Sequence, residues 1–115
     1  MSAKYTPWCG RVTLTLDYVS YKLSDLLEAL PDIIRPKLGD IPRCEYLSIQ
    51  ADETGGGAKY YIGNQDMGPT SYGVYLAATQ AWQVQSMGAN LIRLDHVYVM
   101  SDTGPSYMNV IFITR

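Results

Sequence analysis

Asp95 and His96 stand side by side, and His96 is the only histidine in the chain. A carboxylate next to an imidazole is the orienter–base half of a nucleophilic triad. The two must share a hydrogen bond to act, and neighbours on a strand point to opposite faces. No G-x-S-x-G turn offers a serine to accompany them. A structural or surface histidine is expected, with a small hydrolase built on the pair as an alternative. Asp52, Glu53, Asp66 and Asp102 are loop acids. None lies in the D-x-D-x-D-G frame that preforms a calcium cage, so they read as surface turn residues. Residues 55–57 are three glycines without the following Lys-Ser/Thr of a phosphate-binding loop; they read as a hairpin turn. Cys9 and Cys44 lack C-x-x-C spacing and have one histidine to join them, so no zinc site is expected. They read as small apolar fillers, with a disulfide between them left open. The expectation is no enzyme, no metal and no cofactor.

The aromatic residues carry more information. Ten tyrosines accompany two tryptophans and one phenylalanine. Tyr packs well on pleated surfaces, yet a small core cannot hold all ten. Several must reach the surface, where aromatic residues with few charges mark protein contacts or stack on sugars. Trp82 is assigned to the core. Trp8, Tyr60 and Tyr61 are candidate contact residues. Tyr60 and Tyr61 are adjacent and should face opposite ways, with at most one of them inside.

A second candidate surface is the segment 31–43, PDIIRPKLGDIPR. Its three prolines remove backbone donors and hold their predecessors extended. Ile33, Ile34 and Leu38 are apolar and want cover, and Arg35 and Lys37 join Arg43 in a mild basic cluster. This arm either is pinned across its own domain or docks on a neighbour.

β structure must position these residues. In residues 11–20 Val12, Leu14, Leu16 and Tyr18 alternate with polar side chains, the period of a half-buried strand. Leu23, Leu26, Leu27 and Leu30 fall at helical spacing, which predicts a short helix over 24–30. Ser24 or Asp25 would cap it, Asp25 and Glu28 have capping-box spacing, and Pro31 ends it. From Cys44 onward strands are expected over 46–51, 58–63, 72–76, 81–86, 91–94, 96–100 and 107–114, separated by Gly/Pro/Asn/Asp turns. The last strand is apolar on both faces and should be central and covered on both sides. About eight strands with one helix point to an antiparallel, jelly-roll-like β-sandwich carrying a proline-rich arm.

The 115 residues suit one domain, 1–115. An apolar fraction of 47% excludes a disordered chain, and a net charge of -2 argues against nucleic-acid binding. No run approaches the roughly 20 apolar residues of a membrane span, and the first ten residues hold no signal-like apolar stretch.

The second half has a familiar order. Residues 49–52 (IQAD) precede a Gly-rich turn, and a strand ending in Ile62-Gly63 follows. Then come 72–76 (YGVYL), 94–99 (LDHVYV) and a final strand with Asn109-Val110. This order, over 44–114, resembles small structural proteins of tailed bacteriophages. Where that pattern has G-x-S/E after Y-G-V-x-L, this chain has Ala77-Ala78-Thr79-Gln80. The resemblance implies a virion component assembled in the host cytoplasm, foremost a capsid decoration (cement) protein. Its partners would be the major capsid protein or other virion proteins, and it would form homo-oligomers. A minor tail or fibre-associated protein is the neighbouring expectation. A carbohydrate-binding module using Trp8, Tyr60 or Tyr61 is the competing one.

Overall fold

The computed structural model describes residues 6–38, 42–52, 59–68, 70–86 and 91–114. These form ten strands: β1 (Thr6–Leu14), β2 (Tyr21–Lys22), β3 (Arg43–Cys44), β4 (Tyr46–Ala51), β5 (Tyr60–Gly63), β6 (Val74–Leu76), β7 (Ala81–Gln85), β8 (Ile92–Arg93), β9 (Tyr98–Ser101) and β10 (Ser106–Thr114). One helix, α1 (Leu23–Glu28), and a 3-10 turn (Leu94–His96) complete them. Two four-stranded antiparallel sheets run in the orders β1-β10-β4-β7 and β2-β9-β5-β6, and β3 pairs with β8. Their inner faces enclose one core, so the architecture is the expected antiparallel sandwich.

Period-two alternation explains the first sheet row by row. Trp8, Phe112, Leu47 and Val84 share one cross-strand row, and Gly10, Val110, Ile49 and Trp82 the next. Val12, Met108 and Ala51 form the third. All these side chains point into the sandwich, against Tyr60, Ile62, Leu76 and Val99 of the second sheet. Truncating Phe112 to Ala would cost about 3–5 kcal/mol, a large share of what a domain this size has.

Several expectations change. The first strand lies five residues earlier than the alternation suggested and stops at Leu14. Leu16 and Tyr18 are exposed, and Tyr18 has φ 53. The chain turns here because the Tyr18 N–H bonds the Ser101 carbonyl and the Asp17 carboxylate accepts from the Gly104 N–H. The helix starts one residue sooner, with extended Lys22 as N-cap and no side-chain cap, so the capping box is not formed. Leu23 and Leu27 are buried, and Leu26 and Leu30 pack on the core, which holds two turns in place of the cap. The two strands beyond the expected eight, β2 and β3, are two residues each and carry no periodicity to read.

β10 is central, between β1 and β4, but only its inner face is covered: Ile111 is 39% exposed. The strands buried on both sides are β5 and its partner β9, where Val99 faces the core and Met100 the outer cluster. Tyr60 and Ile62 face the core, while Tyr61 faces outward and clusters with Met67 and its cross-strand partner Met100. The glycine turn at 55–57, Glu53, the turn at 87–90 and residues 39–41 of the arm lie outside the described residues.

Candidate functional site

The arm is both pinned and displayed. Trp8 lies on the inner face of β1, its ring 5.3 Å from Phe112 and tilted 30°. Gly10 leaves room for it; a Cβ there would sit 2.6 Å from the indole. The Trp8 Nε1–H donates to the Ile34 carbonyl at 2.9 Å, which ties the start of the arm to the domain. The Pro31 carbonyl accepts from the Ile34 and Arg35 N–H groups, closing a tight turn. Arg35 bonds Asp32 at 2.7 Å and the Leu30 carbonyl at 3.0 Å. Pro36 is buried and Leu38 packs on the core. From this braced turn Ile33 projects 92% exposed and Ile34 52% exposed. Lys37 is exposed beside them, and Arg43 lies apart on β3. An open depression of about 630 Å³ lies between α1 and the arm, lined by Glu28, Asp32, Arg35 and Lys37. Its charges are of both signs, so the basic cluster is not a one-signed surface.

The other aromatic candidates are interior or covered. Tyr60 is fully buried, and its hydroxyl donates to the Asp52 carbonyl at 3.2 Å. Burial pushes its pKa above the ordinary tyrosine value. It offers no contact surface, because β5 turns it into the core. Tyr61 does face the other way, as its position next to Tyr60 requires, yet it too is buried. The rings of Tyr72 and Tyr75 lie 4.7 and 5.7 Å from it, tilted by 56° and 57°. Tyr72 and Tyr75 are the exposed members of this group. Sequence reasoning passed over them as site residues: three positions apart, alternation assigns them to opposite faces, and Tyr72 joins Tyr75 on Tyr61 only because it lies before β6 begins. Both rings are tilted on Tyr61, which they cover, so neither stacks flat on it.

The outer face of the first sheet is a second exposed surface. Its rows are Cys9–Ile111–Ser48–Gln83 and Arg11–Asn109–Gln50–Ala81. An open depression of about 640 Å³ crosses it. Its one cation, Arg11, is held at the rim by Asp52 at 2.9 Å and lies 5.3 Å from the Tyr107 ring centre. The rest is amide, hydroxyl and apolar. Cys9 is an exposed free thiol here, not the buried filler expected, because odd positions of β1 face outward. Cys44 is the buried one, and burial pushes its thiol up to about 12. No disulfide joins them.

The Asp95 carboxylate bonds Arg93 and not His96. Asp95 accepts two hydrogen bonds from Arg93, at 3.0 and 2.6 Å, and His96 is exposed. The hydrogen bond from Arg93 holds the Asp95 carboxyl below its usual range. A depression of about 330 Å³ between Asp66, Asp95, His96 and Tyr98 is open to solvent. The loop acids are likewise engaged separately, Asp52 with Arg11 and Asp102 with the Lys59 N–H. Among the described residues no three His, Cys, Asp or Glu side chains gather as a metal site, and no helix is long and apolar enough to cross a membrane. Comparison with family models, with curated proteins and with solved structures returned no match.

Proposed function

We propose that this chain is a structural protein of a tailed-phage virion that binds the assembled shell and reinforces it through protein contacts. The observation that carries the reading is the braced arm, which holds Ile33 and Ile34 out to solvent in a fixed turn. A side chain held rigid before binding loses little freedom on docking. An exposed isoleucine costs stability in water and repays it only against another surface. The resemblance over 44–114 names the kind of surface, a phage shell subunit. A protein that binds the assembled shell and not its parts stabilises the shell by mass action, and many symmetric copies multiply a modest contact. The charged groups of the domain support a non-catalytic role, since Arg11, Arg35 and Arg93 are each spent on a neighbouring carboxylate. Self-association and placement in the virion belong to the same proposal.

The test is cosedimentation of the purified chain with emptied shells of the phage that encodes it, followed by calorimetry of the shells. Binding with a raised shell melting temperature is expected. A chain that stays in the supernatant and leaves shell melting unchanged overturns the cement reading.

A further inference from the structure

We infer that β7 is a self-pairing edge, on which two copies of this chain join their first sheets across a two-fold axis at Gln83. The inference specifies the self-association in the proposed function, but its geometry does not depend on shell binding.

Sheet edges are normally protected by proline, charge or brevity. The far edge of the same sheet, β1, carries Pro7, Gly10 and Arg11. In the second sheet the edges β2 and β6 are two and three residues long. β7 has none of these devices. Its five residues, Ala-Trp-Gln-Val-Gln, hold no charge, proline or glycine. Among the described residues nothing pairs with it on the side away from β4.

The core is also left open there. On β4, Leu47 and Ile49 are fully buried, whereas their row partners Val84 and Trp82 are only half-buried. The two apolar rows run to the edge of the sheet and stop at solvent.

The hydrogen-bond pattern sets the register. The Ser86 N–H bonds the Glu45 carbonyl, and the Ala51 N–H bonds the Gln80 carbonyl. Antiparallel ladders alternate, so even-numbered residues of β7 face β4 and the backbone groups of Ala81, Gln83 and Gln85 face outward. A two-fold axis at Gln83 pairs Gln83 with its own copy and Ala81 with Gln85, satisfying all of these groups with about six ladder bonds. The same register sets Trp82 of one copy beside Val84 of the other on the inner face, where each covers what the other leaves exposed. Amides and Ala81 meet on the outer face, with no like charges opposed. An axis one residue away leaves outward groups unpaired. A second copy fits this edge because the strand complements itself about its middle residue.

The contact is short, so the dimer should be weak and should gain strength on a lattice that holds many copies. Sedimentation of the full chain should show monomer at low micromolar concentration and a rising dimer fraction toward about 200 µM, as a sub-standard interface implies. Gln83→Pro and Gln83→Lys should both remain monomeric with an unchanged circular dichroism spectrum. The Gln83 N–H faces outward, so proline there spares the β4 ladder. In a Cys9→Ser background, Gln83→Cys should form a disulfide-linked dimer with copper phenanthroline, since directly paired Cα atoms lie about 5.5 Å apart, within disulfide range. Gln85→Cys alone should not, its two copies being about 13 Å apart, while Ala81→Cys with Gln85→Cys should. A chain monomeric at every concentration overturns the inference. So does a dimer that survives both Gln83 substitutions, or cross-linking at position 85 as fast as at 83. A chain that dimerises in this way but ignores shells keeps the inference and loses the cement reading.

Discussion

Trp8 and Ile34, 26 residues apart, are joined by one hydrogen bond of 2.9 Å from the indole to a backbone carbonyl. The bond links the inner face of the first sheet to the turn that displays two isoleucines. Trp8→Phe keeps an aromatic ring against Phe112 and removes the donor. Loss of about 1 kcal/mol of stability is expected by urea unfolding. The arm should loosen with it, so trypsin should cut the Lys37–Leu38 bond faster than in the wild type.

Ile33 has almost no contact to lose. Ile33→Ser should change stability by less than about 0.5 kcal/mol and yet weaken cosedimentation with shells by tenfold or more, the effect of about 1.4 kcal/mol. A variant that binds as tightly as the wild type would remove the arm from the interface.

Gly104 meets a wall. A Cβ there would collide with the Thr15 carbonyl oxygen, a backbone atom. Gly104→Ala must push the turn after β1 away from the loop between β9 and β10, and break the 2.6 Å bond from the Gly104 N–H to Asp17. A loss of about 1–3 kcal/mol is expected, read as a lower thermal midpoint.

Two groups give opposite pH limbs. The Asp95 carboxyl is held below its ordinary value of 3.8 by Arg93, so its contribution is present above that value and lost as pH falls through the lowered one. Asp95→Asn should flatten the acid side of a stability profile. The Cys44 thiol is raised from 9.0 to about 12. Its neutral form is favoured by folding, so that contribution is whole below 9.0 and is lost as pH rises toward 12. Urea midpoints of wild type and Cys44→Ala should therefore converge between about pH 8 and about pH 10.5.

The alternation of Leu47, Ile49 and Ala51, of Trp82 and Val84, and of Met108, Val110 and Phe112 was enough to place three strands of the first sheet and the faces they bury. The same rule misled at Leu16 and Tyr18, where the chain keeps the period but has left the sheet, held by a Tyr18 N–H bond to the Ser101 carbonyl at the end of β9 and by the Asp17 carboxylate on the Gly104 N–H. Apolar pattern says that a side chain prefers cover and not whether cover exists. Ile111 and Ile113 looked like a second buried face for that reason, although no layer covers Ile111. Among the contact candidates, Ile33, Ile34, Arg35 and Lys37 are exposed as a segment broken by prolines should be. Trp8 and Leu38 instead anchor that segment, a division set by tertiary packing. Tyr60 could not be told from Tyr61 by composition, since both belong to a strand with apolar neighbours on each side.

That strand has a kinetic consequence. With Tyr60, Tyr61 and Ile62 all buried, β5 has no wet side from which water can reach its ladder to β9. Its amide protons should exchange with solvent only when the whole domain opens, whereas those of β7, wet on its outer face, should exchange through small local breaths. The molecule is thus stiffest in the sheet that does not carry its open edge, and it can lend that edge to a neighbour without loosening its centre.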